Sequence, residues 1–367
     1  MTSPFPRPDQ RLQIVVDAAD PFERGADRGR QLRDTLPGTI DAYDRLFRLG
    51  GIDERTVRDD AERLLDAIGA HRPALRTQIE GIASGADAEL WRVAALNGRT
   101  EILSRSVAVP PGECSTIVRS VRDAEGRAHA LGVQTWDWHM EIAPYWHTVV
   151  ARGGAHDYAG LTECGILGKI GVNSAGVALH FNILGHRSDR PEGVPMHVLA
   201  ALVLEEATSV AHAVDLVRTA PVTSSGSFAL FDADGDAALL DISPEGVFEA
   251  PAVTAGTWLR TNHFLTAEPA AEEKTWLYQP DSGERWDFLR ERLARGPARA
   301  DAEQLRAALI TGEGEPPVTC VPDLGLPMGQ RWASLATVVL DPAARRADIL
   351  DGTPAENTTR PHIELTV

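Results

Sequence analysis

The stretch Val109-Pro110-Pro111-Gly112-Glu113-Cys114-Ser115-Thr116 divides the chain into two parts with different sequence patterns. Before it, residues 20–106 carry apolar side chains at the three- and four-residue spacing of amphipathic helices. After it, short runs rich in β-branched and aromatic residues alternate with turn residues, a pattern typical of strands. The change near residue 110 predicts that helical structure ends here and that strands begin near Cys114.

The individual elements follow from local signals. Asp53 is a suitable N-cap for a helix that ends near Gly69, Pro73 opens another that reaches Gly85, and a third begins near Asp87. Further helices are expected at about 195–206, 210–219, 283–295 and 301–310. Strands are expected at 114–121, 129–136, 146–152, 168–172, 176–184, 228–231, 237–242, 246–250, 334–340, 346–350 and 363–367. Blocks of strands alternating with blocks of helices predict an α+β fold, with antiparallel sheets covered by helices.

The composition limits the class of protein. The 367 residues include 36 basic and 53 acidic side chains, a net charge of −17. Such an acidic chain repels phosphate backbones and anionic lipid, so neither nucleic acid nor a membrane surface is expected as its main partner. The N-terminus lacks the apolar core of a secretion signal, and the longest apolar run, 198–204, is too short to span a bilayer. We therefore expect a cytoplasmic protein.

Three cysteines are too few and too scattered for a disulfide framework or a zinc site. Cys164 and Cys320 have no charged partner nearby in sequence and are interpreted as buried, inert thiols. Cys114 lies where the sequence pattern changes, which makes it a candidate nucleophile, although its local sequence taken alone favours a buried core thiol.

Metal chemistry has little support in the sequence. The run Asp232-Ala233-Asp234-Gly235-Asp236 begins like a calcium loop, but its glycine is at the fourth position and Ser243 stands at the twelfth. A hairpin turn explains it better. The eleven histidines include no His-Glu-x-x-His pair, so we expect no metal site.

Several short motifs, spread over residues 20–351, distinguish the chain further. They are Glu23-Arg24-Gly25 with Gly29, Gln78-Ile79-Glu80-Gly81-Ile82-Ala83-Ser84-Gly85, Ala95-Leu96-Asn97, Thr100-Glu101, Gln134-Thr135-Trp136-Asp137-Trp138, Gly171-Val172-Asn173-Ser174-Ala175-Gly176-Val177, Phe181-Asn182, Thr261-Asn262-His263-Phe264, and Ser334-Leu335-Ala336-Thr337-Val338-Val339-Leu340-Asp341. In order and spacing they resemble the acyl-CoA:isopenicillin N (6-aminopenicillanic acid) acyltransferase-like family of self-processing N-terminal nucleophile hydrolases.

The resemblance implies a four-layer αββα sandwich with a helical N-terminal segment, made as a precursor that cuts its own backbone. The implied cut lies between Glu113 and Cys114. It gives a helical pro-segment or α subunit, 1–113, and a nucleophile-bearing domain or β subunit, 114–367, which together form one intertwined globular unit. The implied product is a self-processed heterodimer, and a higher oligomer stays open.

The resemblance also implies the roles of the site residues. Cleavage frees the α-amine of Cys114, whose pKa of ~7.7–8 suits it to act as the base for its own thiol. Asn262 is the implied oxyanion donor, Asp137 holds the new ammonium or orients the thiol, and Asn182 is a second polar group near the substrate. The implied substrate contacts are Gln134, Thr135, Trp136 and Trp138. No cofactor is implied, although an acyl-CoA is a conceivable co-substrate.

Each role has a structural alternative. Asp137 could be a turn residue at a strand end, Asn182 could satisfy strand-edge amides, and Asn262 could bond only to its neighbour His263. The tryptophans could serve core packing instead of an acyl pocket. The chain also departs from the family pattern, because Thr135 stands where the family usually has asparagine and Glu113 stands where the penicillin enzyme has glycine.

Three functions remain open from the sequence. The first is an autoproteolytic cysteine amidohydrolase or acyltransferase that moves an acyl group from a small amide or thioester to water or an amine. The second is a hydrolase like the choloylglycine and penicillin V acylases, which we rank lower because Gln134 occupies a position where those enzymes have arginine. The third is an uncleaved scaffold that binds a small molecule or protein without chemistry.

Overall fold

Six α-helices follow one strand in the part of the chain before residue 106. The computed structural model describes residues 7–106, 114–122, 125–296 and 301–367. The elements in the first of these stretches are β1 (Gln13–Asp17), α1 (Pro21–Leu32), α2 (Leu36–Leu49), α3 (Glu54–His71), α4 (Pro73–Ala86), α5 (Leu90–Asn97) and α6 (Arg99–Leu103). The helical character expected for residues 20–106 is confirmed.

Local capping chemistry sets the helix limits. The Asp53 side chain accepts a 2.8 Å hydrogen bond from the backbone N–H of Thr56, so this predicted N-cap is confirmed. Two expected limits are wrong. Helix α3 continues past Gly69 to His71, and the helix expected to begin near Asp87 begins at Leu90. Asp87 instead ends α4 in the left-handed conformation, with φ 58°.

Glycines let α1 and α4 cross in close contact. A Cβ on Gly25 would lie 2.1 Å from the Gln78 carbonyl oxygen, and one on Gly85 would lie 2.1 Å from the Ala26 carbonyl oxygen. These distances leave no room for any side chain. The glycines of the two helical motifs therefore have a packing role, which is to hold the two helix backbones together.

The larger sheet has eight strands in the order β1-β4-β5-β6-β7-β8-β9-β10. Strand β1 is parallel to β4, and the other neighbours are antiparallel. The pairing of β1 with β4 ties the N-terminal part of the chain into the sheet of the later part. The added strands are β4 (Trp146–Arg152), β5 (Tyr158–Glu163), β6 (Ile170–Asn173), β7 (Val177–Ile183), β8 (Gly226–Asp232), β9 (Ala237–Ser243) and β10 (Gly246–Ala250).

The smaller sheet has six strands in the order β11-β2-β3-β12-β13-β14, all antiparallel. They are β2 (Cys114–Arg122), β3 (Ala128–His139), β11 (Thr257–Arg260), β12 (Trp332–Asp341), β13 (Arg346–Leu350) and β14 (His362–Thr366). The remaining helices are α7 (Met196–Glu206), α8 (Val210–Thr219), α9 (Ala267–Ala270), α10 (Thr275–Tyr278), α11 (Asp281–Arg295) and α12 (Ala302–Ala308).

The elements stack in four layers. Helices α7 and α8 cover the larger sheet, the two sheets face each other, and α11 and α12 cover the smaller sheet. The apolar run Val198–Leu204 is buried within α7, which packs on β6 and β7. The α+β class and the four-layer αββα sandwich are therefore confirmed. No helix in the described ranges is long and apolar enough to cross a membrane.

Candidate active site

Cys114 is the first residue of β2, and residues from four other parts of the chain contact it. Its backbone N–H donates a 2.8 Å hydrogen bond to Oδ1 of Asn262, which follows β11. Its carbonyl oxygen accepts hydrogen bonds from Nδ2 of Asn182 on β7 (3.1 Å) and from Nη1 of Arg285 on α11 (3.2 Å). Its Sγ lies 3.8 Å from the backbone oxygen of Asp137 on β3. The fold thus gathers polar side chains from both sheets and a covering helix around one cysteine.

Asn262 is held rigidly on both sides of its side chain. Its backbone N–H donates to Oγ of Ser282 (2.7 Å), and its Nδ2 donates to the backbone oxygen of Ile183 (3.0 Å). In this arrangement the amide oxygen, and not the amide nitrogen, faces Cys114. The sequence-based alternative in which Asn262 bonds only to His263 does not describe the observed contacts. Its implied role as an oxyanion donor stays a prediction.

Asn182 joins the two sheets beside Cys114. Besides donating to the Cys114 carbonyl, it accepts hydrogen bonds at Oδ1 from Thr116 Oγ1 (2.7 Å) and Gln134 Nε2 (3.2 Å). Gln134 Nε2 also donates to the backbone oxygen of Phe181 at 2.6 Å. Gln134, implied to bind substrate, therefore links β3 to β7 across the interface between the sheets.

Asp137 and Thr135 form a buried pair next to the thiol. Thr135 Oγ1 donates to Asp137 Oδ2 at 3.1 Å and accepts from the Ser115 backbone N–H at 3.3 Å. Burial, and secondarily the Asp137 charge, raise the pKa of the Cys114 thiol to about 12. In this uncut chain the thiol is thus protonated at neutral pH, and forming the nucleophile needs a compensating charge.

The two tryptophans implied to bind substrate are buried among charged groups. Lys169 Nζ lies 4.2 Å from the centre of the Trp136 ring, which packs edge-on against Trp146. The guanidinium carbon of Arg99 lies 4.0 Å from the centre of the Trp138 ring, whose Nε1 donates to the Tyr43 hydroxyl at 2.9 Å. Their implied contacts with substrate stay predictions.

The charged groups around these rings meet at Glu163. Its carboxylate accepts hydrogen bonds from Arg99 Nη2 (2.6 Å), Lys169 Nζ (2.7 Å) and the Tyr43 hydroxyl. Burial raises the pKa of Glu163, but Arg99 and then Lys169 lower it more, so the net shift is downward. Tyr43 and Arg99 precede the implied cut and the other two residues follow it, so this cluster joins the two parts of the chain.

Arg285 contacts Cys114 and was not predicted from the sequence. It is fully buried and donates from Nη1 to the Ser115 hydroxyl (3.1 Å), from Nη2 to Asn262 Oδ1 (3.2 Å) and from Nε to Asp281 Oδ2 (2.7 Å). The available signal, an Asp-x-x-x-Arg pair at helical spacing, is indistinguishable from an ordinary surface ion pair.

The other candidate features lie apart from this site. Cys164 is buried, and burial raises the pKa of its thiol to about 12. The Asp232 carboxylate accepts from the N–H groups of Asp234 and Asp236, so this run is the β8–β9 hairpin turn. No group of three metal-binding side chains occurs among the described residues. Glu113 lies outside the described residues.

A small cavity, about 20 Å³ in volume, lies beside the site where β7 ends. Its wall includes Ser104, Ile183, Asp189, Ser225 and Lys274. The Asp189 carboxylate accepts from Ser225 Oγ at 2.6 Å, and Lys274 Nζ donates to the Ser104 carbonyl at 3.1 Å. This volume holds about one water molecule, so a larger ligand needs the cavity to open.

Comparison with known proteins agrees with the sequence motifs. The family model described as "Acyl-coenzyme A:6-aminopenicillanic acid acyl-transferase" matches residues 123–356, nearly two thirds of the chain. The match includes Asp137, Asn182, Asn262 and Arg285, and begins just after β2.

One relative and two solved structures are similar over much of the chain. The relative is the 40 kDa form of acyl-coenzyme A:6-aminopenicillanic-acid-acyltransferase from Emericella nidulans, 29% identical over 358 residues, covering 93% of this chain and 92% of the relative. An N-acylethanolamine-hydrolyzing acid amidase ortholog from Caenorhabditis elegans has a TM-score of 0.45 at 13% identity, covering 63% of this chain and 93% of its own. Penicillin V acylase from Agrobacterium tumefaciens has a TM-score of 0.39 at 15% identity, and the match covers 69% of this chain and 86% of the acylase. Because the family model matches more than half of its residues, the chain belongs to the acyl-coenzyme A:6-aminopenicillanic acid acyl-transferase family.

Proposed function

We propose that this protein is an autoproteolytic cysteine amidohydrolase or acyltransferase. It cleaves its own Glu113–Cys114 bond and then transfers an acyl group from a small amide or acyl thioester through a Cys114 thioester. The observation that carries the proposal is the convergence of Asn262, Asn182 and Arg285 on the backbone of Cys114. Burying polar groups is costly unless they are hydrogen-bonded, and the hydrogen bonds made here hold Cys114 in a defined geometry.

Self-cleavage follows from ordinary acyl chemistry. The Cys114 thiol loses its proton to water, Sγ bonds to the carbonyl carbon of Glu113, and the C–N bond breaks as the nitrogen takes up a proton. This shift leaves a thioester, which one water molecule hydrolyses to the Glu113 carboxylate and a free thiol. The hydrogen bond from the Cys114 N–H to Asn262 Oδ1 supports this step, because it holds the nitrogen that becomes the amine.

The second reaction uses the amine that the first one creates. The α-amine of Cys114, with a pKa of ~7.7–8, takes the thiol proton while Sγ attacks the substrate carbonyl. The leaving amine or thiol departs protonated, and water or an acceptor amine then removes the acyl group. Asn262 Oδ1, already 2.8 Å from that nitrogen, is suited to accept a hydrogen bond from the amine. Asp137, buried beside the thiol, supplies the negative charge that favours an ammonium there.

Intact-mass measurement tests the proposal. Freshly purified protein should convert during incubation into fragments of 113 and 254 residues. Cys114→Ala should stay intact. Cys164→Ala, which removes another buried thiol outside the site, should still be cleaved. Small N-acyl amides and acyl thioesters, followed by mass spectrometry, test the second reaction through a mass increase on Cys114.

The outcomes separate the candidate functions. A protein that turns over amides while keeping its first 113 residues attached contradicts self-processing. A protein that neither cuts itself nor forms an acyl adduct at Cys114 favours the uncleaved binding scaffold.

A further inference from the structure

The chain contains only two lysines among its 36 basic residues, Lys169 and Lys274; the other 34 are arginines. Both lysines are buried, at 2% and 8% exposure. Arginine therefore supplies the basic side chains of the surface, and both lysines lie inside. Lysine differs from arginine in presenting a compact ammonium whose charge changes readily with its surroundings.

Lys169 is fixed between a carboxylate and an aromatic ring. Its Nζ donates to Glu163 Oε1 at 2.7 Å and lies 4.2 Å from the centre of the Trp136 ring. Trp136 is the direct cross-strand partner of Cys114 in the β2–β3 pair. Because directly paired residues project their side chains from the same face of a sheet, the thiol, the indole and the ammonium lie side by side.

The charges around the thiol have opposite effects. Asp137 on β3 raises the pKa of Cys114, whereas Lys169 and Arg285 lower it. The Arg285 guanidinium donates to the Cys114 carbonyl, Ser115 and Asn262, whereas Lys169 lies over the ring of Trp136, the residue paired with Cys114.

Burial and three charged or ionisable groups shift the pKa of Lys169. Burial lowers its pKa to about 8, while Glu163 on β5 and Cys114 on β2 raise it and Arg99 on α6 lowers it. His197 on α7 also faces the Glu163 carboxylate, with its Nε2 3.9 Å from Oε1.

We propose that Lys169 is a positioning residue whose ammonium stabilises the thiolate form of Cys114. Its catalytic consequence rests on the proposed self-cleavage. Before the cut, the Cys114 nitrogen is an amide that donates to Asn262 and cannot accept the thiol proton. The first thiolate must therefore form without the α-amine. A buried cation facing the thiol favours that ionisation, which releases one proton to solvent and forms no covalent bond.

Alkylation kinetics distinguish this electrostatic role from a structural one. The rate of Cys114 modification by iodoacetamide is followed from pH 6 to 9.5 by mass spectrometry of the peptide in which Glu113 and Cys114 are still joined. It therefore reports the thiolate fraction before the α-amine exists. In the native protein the rate should rise with pH and then bend near pH 8, where Lys169 loses its charge. Lys169→Met should react about tenfold more slowly below pH 8 and approach the native rate above it, since a facing cation shifts a pKa by about one unit or more.

Two further variants complete the test. Lys169→Arg keeps the cation and should react at the native rate below pH 8, with no bend. Lys274→Met removes the other buried lysine and should follow the native profile. Near-UV circular dichroism of the tryptophans establishes that each variant is folded. If the ratio of native to Lys169→Met rates is independent of pH, Lys169 only fills space and the proposal is wrong.

Measuring self-cleavage in the same variants separates this proposal from the one on which it rests. A Lys169-dependent alkylation profile in a chain that never cuts itself supports the thiolate role and refutes self-processing. Normal cleavage of Lys169→Met, with an unchanged alkylation profile, supports self-processing and refutes the thiolate role.

Discussion

Replacing Arg285 by methionine removes the buried cation that joins α11 to the start of β2. The guanidinium donates to the Cys114 carbonyl, the Ser115 hydroxyl and Asn262 Oδ1, and it pairs with Asp281. Removing one partner from a buried charged network costs about 3–5 kcal/mol. Two acceptors keep another donor, since Asn182 still binds the Cys114 carbonyl and the Cys114 N–H still binds Asn262. We therefore expect the low end, a loss of about 3 kcal/mol in the free energy of unfolding.

The assay is urea denaturation followed by tryptophan fluorescence. All proteins carry Cys114→Ala, so that self-cleavage cannot change the chain between samples. Arg295→Met is the matched control, because Arg295 lies on the same helix in an exposed i, i+4 pair with Glu291, 79% and 61% exposed. Such a pair contributes about 0.5 kcal/mol or less. A loss below about 1 kcal/mol for Arg285→Met, equal to that of the control, would refute the reasoning.

Two other perturbations test the packing and the acid response. Gly85→Ala puts a methyl group 2.1 Å from the Ala26 carbonyl oxygen, so α1 and α4 must separate, and urea unfolding should show a loss of about 1–3 kcal/mol in the free energy of unfolding. The control Gly69→Ala meets the flexible Arg76 side chain and should leave the stability unchanged or raise it. Equal losses in the two variants would contradict the proposed close contact of α1 with α4. Burial, and secondarily Arg99, lower the pKa of His139 to about 3, so the unfolded chain binds a proton that the folded chain does not between about pH 6.5 and 3, and stability falls as the pH falls through that window. Between pH 7 and pH 5 this effect lowers the free energy of unfolding by about 2 kcal/mol. Urea titrations at the two pH values should therefore show that His139→Phe loses about 2 kcal/mol less stability than the native protein. An equal loss in both proteins would show that His139 is not the cause.

The sequence was most informative where the cause of structure is local. The change of pattern near residue 110 predicted that a strand begins near Cys114, and β2 does begin there. Asp53 also caps α3 as expected. It was less informative at helix ends set by backbone conformation, since Asp87 closes one helix in the left-handed region instead of opening the next. Strands β1, β5 and β11 were also absent from the sequence-based assignment.

The candidate site divides in the same way. Resemblance to a family indicated Cys114, Asp137, Asn182 and Asn262. The structure brings them together, since Asn182 and Asn262 bind the Cys114 backbone and the Asp137 backbone oxygen lies 3.8 Å from the Cys114 Sγ. Arg285 escaped detection because Cys114 and Ser115, which it joins to α11, lie 171 and 170 residues away in sequence.

The sequence by itself determined the α+β class, the position at which helices give way to strands, and the family, because these depend on periodicity, composition and ordered motifs. Only the tertiary structure decided which charges surround the thiol. Lys169 and Arg285 reach Cys114 from a loop and a covering helix that are remote along the chain. Electrostatic interaction depends on distance in space and on burial, and neither is encoded in the local sequence around a cysteine.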